Sequence, residues 1–339
     1  MKAIFCLEEN YEPASEIAKE HGLEIITALC KEFSGGEVLL SFDEIPVVDE
    51  AIIVHQLYPN PADKIIELLL MIDALENNGI KKAILISAYI PYLRQDRELA
   101  ENSAIASRML SKIIDSSIIK KIITVDCHSQ KALDFFKCEI VNLDSSEFFA
   151  GLLQDKISDA VVISPDQGSN HRAAKLASLL DFSYVILDKT RSDGRVVVQA
   201  LDRHSEAVRS TAVESSFKVY NSKSYSTLGF NTIMNGFAIN ANMDSSLPTN
   251  GAALNDEKLR PAAIIIDDII DSGATIIATI EAIKDLFENI FICATHIINI
   301  EVKDKIELLY PNVKIITTNS TNYLNKESLE NIWEFISRK

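Results

Sequence analysis

Apolar runs of strand length alternate along the chain with segments whose apolar residues recur at helical spacing. AIIVHQ at 51–56 is followed by KIIELLLMIDALENNG at 64–79 and KAILISAYI at 82–90, which reads as strand, helix, strand. The alternation continues through KKIITVD at 120–126, DAVVISPD at 159–166, the helical stretch HRAAKLASLLD at 171–181 and YVILDK at 184–189. It resumes with PAAIIIDD at 261–268, a helix after Gly273, and FICATHII at 291–298. Short β-rich runs separated by helical patterns of ten or more residues predict βαβ units, and hence parallel sheets flanked by helices. Such sheets bind ligands at the carboxyl ends of their strands. Asp126, Asp166, Asp188, Asp267 and Asp268 fall at that edge, where packing alone does not call for a charge.

The pattern breaks at about 205–256, a stretch rich in Ser and Asn where both periodicities fade, and which reads as a loop-like insertion. A length of 339 residues favours two domains, at roughly 150 residues each. With 47% hydrophobic and 24% charged residues the chain can bury a full core. Its net charge of -16 repels a nucleic-acid backbone and anionic lipid alike, so neither nucleic acid nor membrane is an expected partner. A polyphosphate ligand would need local Lys and Arg, backbone N–H groups and a divalent cation. The five cysteines are widely spread with no CxxC pair and read as reduced thiols. No signal peptide shows in MKAIFCLEEN, and no segment reaches the roughly 18 apolar residues of a membrane span, which points to the cytoplasm.

The strongest local signal is IIIDDIIDSGATI at 264–276, an apolar strand with two adjacent carboxylates, then a short turn into a helix. The hydroxyls of Ser272 and Thr275 and the N–H groups of a helix start can surround a phosphate, while Asp267 and Asp268 can reach the two hydroxyls of a ribose. A strand ending in an Asp N-cap is the plainer account of an isolated Asp-Ser-Gly turn. The preceding acid pair favours the ligand site. The arrangement resembles the ribose-phosphate loop of phosphoribosyltransferases and of ribose-phosphate diphosphokinases.

ISAYIPYLRQDRE at 86–98 separates the two families, since it resembles the PYxRQDR signature of ribose-phosphate diphosphokinase (PRPP synthetase), which phosphoribosyltransferases lack. Further segments are similar to that family in the same order: NPADKIIELLLMIDAL at 60–75, VDCHSQ at 125–130, SPDQGSNHRAAKLA at 164–177 against SPDxGG…R, DKTR at 188–191 and ITTNS at 316–320. The resemblance implies two related phosphoribosyltransferase-like domains, each a parallel sheet flanked by helices. On this reading residues 1–150 carry the RQDR segment, 151–320 carry the ribose-phosphate loop and the insertion, and 321–339 form a helical tail.

The resemblance also implies substrates and roles. ATP and ribose 5-phosphate would react with Mg²⁺ to give phosphoribosyl diphosphate and AMP, for nucleotide biosynthesis. Arg94, Gln95 and His128 would hold ATP, joined by Phe33 and Glu37 of KEFSGGE, which a neighbouring subunit supplies in the family; the active species would then be a homo-oligomer, at least a dimer. Asp166, Asp267, Asp268, Asp271, Ser272, Gly273, Ala274 and Thr275 would hold the ribose phosphate, and His128, Asp126 and Asp166 the metal. Lys189 and Arg191 would stabilise the transferred group, while Asp271 either assists deprotonation of the 1-hydroxyl or only orients the ligand. The sequence departs from the family at Gly35, where Asp or Asn is usual, and at Ala274, which occupies the second glycine of the loop. A non-catalytic synthetase-like regulatory subunit is the alternative, opposed by His128, Lys189 and Arg191; a phosphoribosyltransferase is opposed by the RQDR segment.

Overall fold

The apolar runs that start the chain form strands buried on both faces, as strands inside a helix-covered parallel sheet must be. The structure, a computed structural model, describes residues 1–192, 195–200, 260–321 and 329–339. The expected insertion at 205–256 therefore lies outside the described residues. The chain divides into two compact units, the first comprising 1–145, 295–298 and 317–339, the second 146–294 and 299–316.

The first unit contains β1 (Lys2–Leu7), α1 (Tyr11–His21), β2 (Ile25–Glu32), β3 (Val38–Ser41), β4 (Glu50–Val54), α2 (Pro61–Asn77), β5 (Ala83–Ile86), α3 (Ala106–Asp115), β6 (Ile119–Val125), α4 (Gln130–Leu133) and β7 (Glu139–Leu143). Its sheet runs β3-β2-β1-β4-β5-β6-β7, parallel except for the edge strand β3, which pairs antiparallel to β2. Phe5, Ile53 and Leu85 of the central strands meet Leu68, Met71, Ile72 and Leu75 of α2 in one core. Those α2 positions recur three and four residues apart, the stripe that a helix lays against a sheet. Pro61 opens α2 at its first turn, where a missing N–H costs nothing.

The second unit contains α5 (Ser146–Leu153), β8 (Val161–Ser164), α6 (Asn170–Leu180), β9 (Ser183–Ser192), β10 (Arg195–Ala200), β11 (Arg260–Ile270), α7 (Ala274–Ile283), β12 (Phe287–Ile297), α8 (Ile300–Leu309) and β13 (Val313–Thr317). The strand order is β10-β9-β8-β11-β12-β13, with β9, β8 and β11 parallel and β10 antiparallel at the edge. Both sheets thus repeat one plan: an antiparallel edge, two parallel strands in reversed order, then a return across the first of them. The related α/β domains expected from the sequence are present, with an antiparallel hairpin added to each. The point where strand order reverses, between β1 and β4 and between β8 and β11, is where open α/β sheets leave a crevice for ligands.

In the segment read as a helical tail at 321–339, α9 (Ile332–Ser337) belongs to the first unit and packs on α1. His21 Nε2 donates to the Ser337 carbonyl at 2.8 Å, and Trp333 is buried.

His55, just past β4, is fully enclosed and donates from Nε2 to the Lys64 carbonyl at 2.9 Å. Burial draws its pKa down from 6.5 to about 4. The folded state thus binds this proton less readily than the unfolded chain, so the neutral ring's contribution is complete above about pH 6.5 and is lost as pH falls towards 4. Denaturant melts across that window are expected to show a decline in stability of order 2–3 kcal/mol that His55→Gln does not share. Parallel pH profiles for the two proteins would refute the assignment.

Candidate functional site

In the second unit β8 ends at Ser164 and the chain turns through Asp166 into α6. Asp166 Oδ1 accepts from the Gly168 N–H at 2.9 Å and from the Ser169 N–H at 3.2 Å, while the Ser164 hydroxyl donates to the Asp166 carbonyl at 2.7 Å. The carboxylate therefore fastens its own turn and stays half-exposed. Across the switch point β11 delivers Asp267 and Asp268, both nearly covered at 7% and 3% exposure. Asp267 Oδ1 accepts from the Ser169 hydroxyl at 2.6 Å and from the Asp268 N–H at 3.0 Å. Arg172 of α6 brings Nη2 to 3.4 Å from Asp268 Oδ1. Burial, then the charge of Asp268, raises the Asp267 pKa to about 7. Two adjacent buried carboxylates resist ionising together.

Beyond the pair, Asp271, Ser272 and Ala274 are exposed and Thr275 is half-exposed. Gly273 caps α7 at φ +74, and the Ala274 N–H points to the Ser272 hydroxyl oxygen at 3.5 Å. The start of α7 carries the partial positive charge that favours an anion at helix N-termini. The left-handed turn at Gly273 explains why glycine stands there; at Ala274, already helical, a Cβ costs nothing. Lys189 and Arg191 lie on β9 opposite Val198 and Val196 of β10; their side chains lie outside the described residues.

The nucleotide residues predicted from sequence lie in the first unit. The PYLRQDR segment follows β5 as an irregular loop containing Tyr92 at φ +67, with Arg94 exposed and Gln95 half-exposed. The loop is tied down by the Gln95 carbonyl, which accepts from the Ser107 hydroxyl at 2.9 Å. Asp96 Oδ2 accepts from the Ser129 hydroxyl at 2.7 Å, which holds the Asp96 pKa below the usual carboxylate range. That bond brings the loop to the turn carrying exposed His128. Phe33 and Glu37 face each other across the β2–β3 hairpin end, with the Phe33 N–H donating to the Glu37 carbonyl at 2.8 Å. Phe33 is 45% exposed, and Lys31 Nζ lies 5.6 Å from its ring centroid.

Asp126 departs from its expected role. Although it ends β6 beside His128, it is buried at φ +44, and its carboxylate accepts from the Ser145 N–H at 3.2 Å and from the Ser145 and Thr295 hydroxyls. It is a structural hub of the first unit rather than an open metal ligand. Asp267 and Asp268 likewise serve partly as internal anchors, more enclosed than a ribose cradle read from sequence alone.

Comparison with known proteins bears on what these sites serve. The family described as the N-terminal domain of ribose phosphate pyrophosphokinase matches residues 2–117, and the phosphoribosyl transferase domain matches residues 139–323. The chain belongs to the ribose-phosphate pyrophosphokinase family. It is 30% identical over 193 residues to ribose-phosphate pyrophosphokinase 1 of Streptococcus pneumoniae and 32% identical over 191 residues to that of Listeria monocytogenes, with 56% of this chain aligned in each case. It spans 60% of the length of those relatives. A crystal structure of phosphoribosylpyrophosphate synthetase from Mycobacterium smegmatis shares the fold, with a TM-score of 0.71 at 21% identity over 99% of this chain and 96% of that one.

Ser169 and Arg172 were not assigned roles from sequence, nor were Ser129, Ser145 and Thr295. Arg172 stands in the segment that resembles SPDxGG…R, so its presence there was a usable signal. The serines carried none, because their partners lie far along the chain.

Proposed function

We propose that the protein is a ribose-phosphate diphosphokinase. The observation that carries this reading is the acid pair Asp267–Asp268 set at the switch point of a parallel sheet, ahead of the helix that starts at Ala274, in a chain of this family. The 1-hydroxyl of ribose 5-phosphate attacks the β-phosphorus of ATP; the bond from that phosphorus to the oxygen of the α-phosphate breaks, AMP leaves, and the hydroxyl proton is lost. Asp271, exposed at the turn, either accepts that proton or orients the sugar. Asp267 and Asp268 receive ribose hydroxyls, while Ser272, Thr275 and the N–H groups at the start of α7 receive the 5-phosphate. Arg94, Gln95 and His128 hold the nucleotide, and Lys189 and Arg191 stabilise charge on the transferred group.

Bound magnesium would neutralise phosphate charge. It takes most of its ligands from water and phosphate, so a protein need supply only one or two. In the second unit Asp166 is half-exposed and suits that task, whereas Asp126 of the first has its oxygens engaged. Among the described residues no group of three or more His, Cys, Asp and Glu forms a protein cage for a metal, and no helix is long and apolar enough to cross a membrane.

The deciding experiment is AMP release from ATP: it should require both ribose 5-phosphate and magnesium. ATP consumption without either, or none with both, overturns the reading. The site map has its own test. Asp267→Ala and Asp268→Ala should weaken ribose 5-phosphate binding at least about tenfold by calorimetry, with ATP binding largely kept, since each removes an acceptor for charge-assisted hydrogen bonds at the sugar alone. Selective loss of ATP binding would reverse the map. If Phe33 and Glu37 complete a neighbour's adenine pocket, the active species is at least a dimer; sedimentation at assay concentration should find dimers or larger, and a fully active monomer would exclude that arrangement.

A further inference from the structure

A serine at a helix N-cap ordinarily turns its oxygen to the N–H groups of the first turn. Ser169, the N-cap of α6, makes no such bond. Its side chain is instead aimed across the switch point, where its hydroxyl donates to Asp267 Oδ1 at 2.6 Å, while its own N–H donates to Asp166 Oδ1 at 3.2 Å. One buried residue, 1% exposed, thus connects the carboxylates that end β8 and stand in β11. The segment resembles SPDxGG, in which glycine holds this position, so the connection belongs to the side chain that this sequence places there.

The bond determines what Asp267 offers to a ligand. Oδ1 already accepts from the Ser169 hydroxyl and from the Asp268 N–H, and both contacts fix the carboxyl plane. Three residues further along α6, Arg172 steadies Asp268 in a similar way, with Nη2 3.4 Å from Oδ1. The first turn of α6 therefore grips both members of the acid pair. We propose that Ser169 is a positioning residue of the sugar-phosphate site, holding Asp267 in the orientation that receives a ribose hydroxyl. This rests on the reading above, in which Asp267 and Asp268 bind ribose 5-phosphate. Without the hydroxyl, Asp267 loses a donor in a nearly closed environment and can rotate away from the ligand, and both effects weaken recognition of the sugar rather than of the nucleotide.

The test is calorimetry on the full chain with ribose 5-phosphate and, separately, ATP. Ser169→Ala and Ser169→Gly are expected to raise the Kd for ribose 5-phosphate about tenfold, the worth of one hydrogen bond to a charged group. The Kd for ATP should stay within about twofold, and Ser169→Thr, which keeps a hydroxyl, should restore most of the sugar affinity. Ser169→Gly keeps the test valid if Ser169→Ala disturbs the turn, because glycine fits any backbone geometry there. Unchanged ribose 5-phosphate binding in a folded Ala or Gly variant overturns the positioning role alone. So does equal weakening of both ligands, or failure of threonine to rescue. If the unsubstituted protein does not bind ribose 5-phosphate, the functional reading fails and this inference with it.

Discussion

Replacing either Lys189 or Arg191 with alanine is expected to lower turnover at least about 100-fold while leaving the melting temperature nearly unchanged. In the proposed reaction charge moves from the attacking oxygen to the departing AMP, and a fixed cation near the transferred group is worth more in the transition state than in the ground state. Both residues stand on β9, two positions apart, in the hairpin that β9 makes with β10. A hairpin backbone holds such residues at defined spacing, so the loss should fall on kcat more than on either KM. Measured kcat, KM and unfolding midpoints for the two variants decide the matter. Turnover close to that of the unsubstituted protein in both would remove the hairpin from the catalytic machinery.

Gly273→Ala should be the most damaging single-methyl change in the ribose-phosphate loop. At φ +74 the backbone occupies the left-handed region, and a Cβ built there would lie 2.5 Å from Val302 Cγ1 and 3.4 Å from Ile306 Cδ1. The strained backbone alone costs about 1–3 kcal/mol, and relief of the overlap requires α7 and α8 to shift relative to each other. Either response displaces the N–H groups at the start of α7, so ribose 5-phosphate binding should weaken at least about tenfold together with a lowered unfolding midpoint. Pairing it with Val302→Ala separates the causes, because smaller packing at 302 relieves the overlap but not the left-handed strain. Recovery of part of the stability, with sugar binding still impaired, is the expected outcome. An alanine variant as stable as the parent would show that the loop does not depend on this conformation.

The strand-end acids and the glycine turn could be read from local sequence because each is a contiguous signal: an apolar run, then charge, then a helix start. What a run of residues does not disclose is which carboxylates the fold will satisfy internally. Asp126 looks as accessible as Asp166 in sequence, yet its partners Ser145 and Thr295 lie 19 and 169 residues away and close around it. Asp267 is likewise joined to Ser169 across 98 residues. Strands β4, β5, β6, β8, β9, β11 and β12 are legible from long apolar runs; β3 is not, because four residues of VLLS beside a glycine turn carry too little periodicity to mark an edge strand. The apolar run YVILDK marks the start of β9 in sequence, and pairing with β10 carries the strand on through the polar DKTR segment, a tertiary effect that adds to local propensity.

The placement of α9 against α1 sets an order on synthesis. The leading segment of the first unit, 1–145, emerges before the second unit, but the first unit gains α9 only when 332–337 have followed, whereas every segment of the second unit has been made by residue 316. During translation the second unit can therefore complete its fold while the first still lacks a buried helix, so chain growth and domain closure run in opposite order. Trp333, the chain's single tryptophan, lies in α9 and is 1% exposed. Its fluorescence is thus a built-in clock for the docking of α9, silent about what the nascent chain does before it.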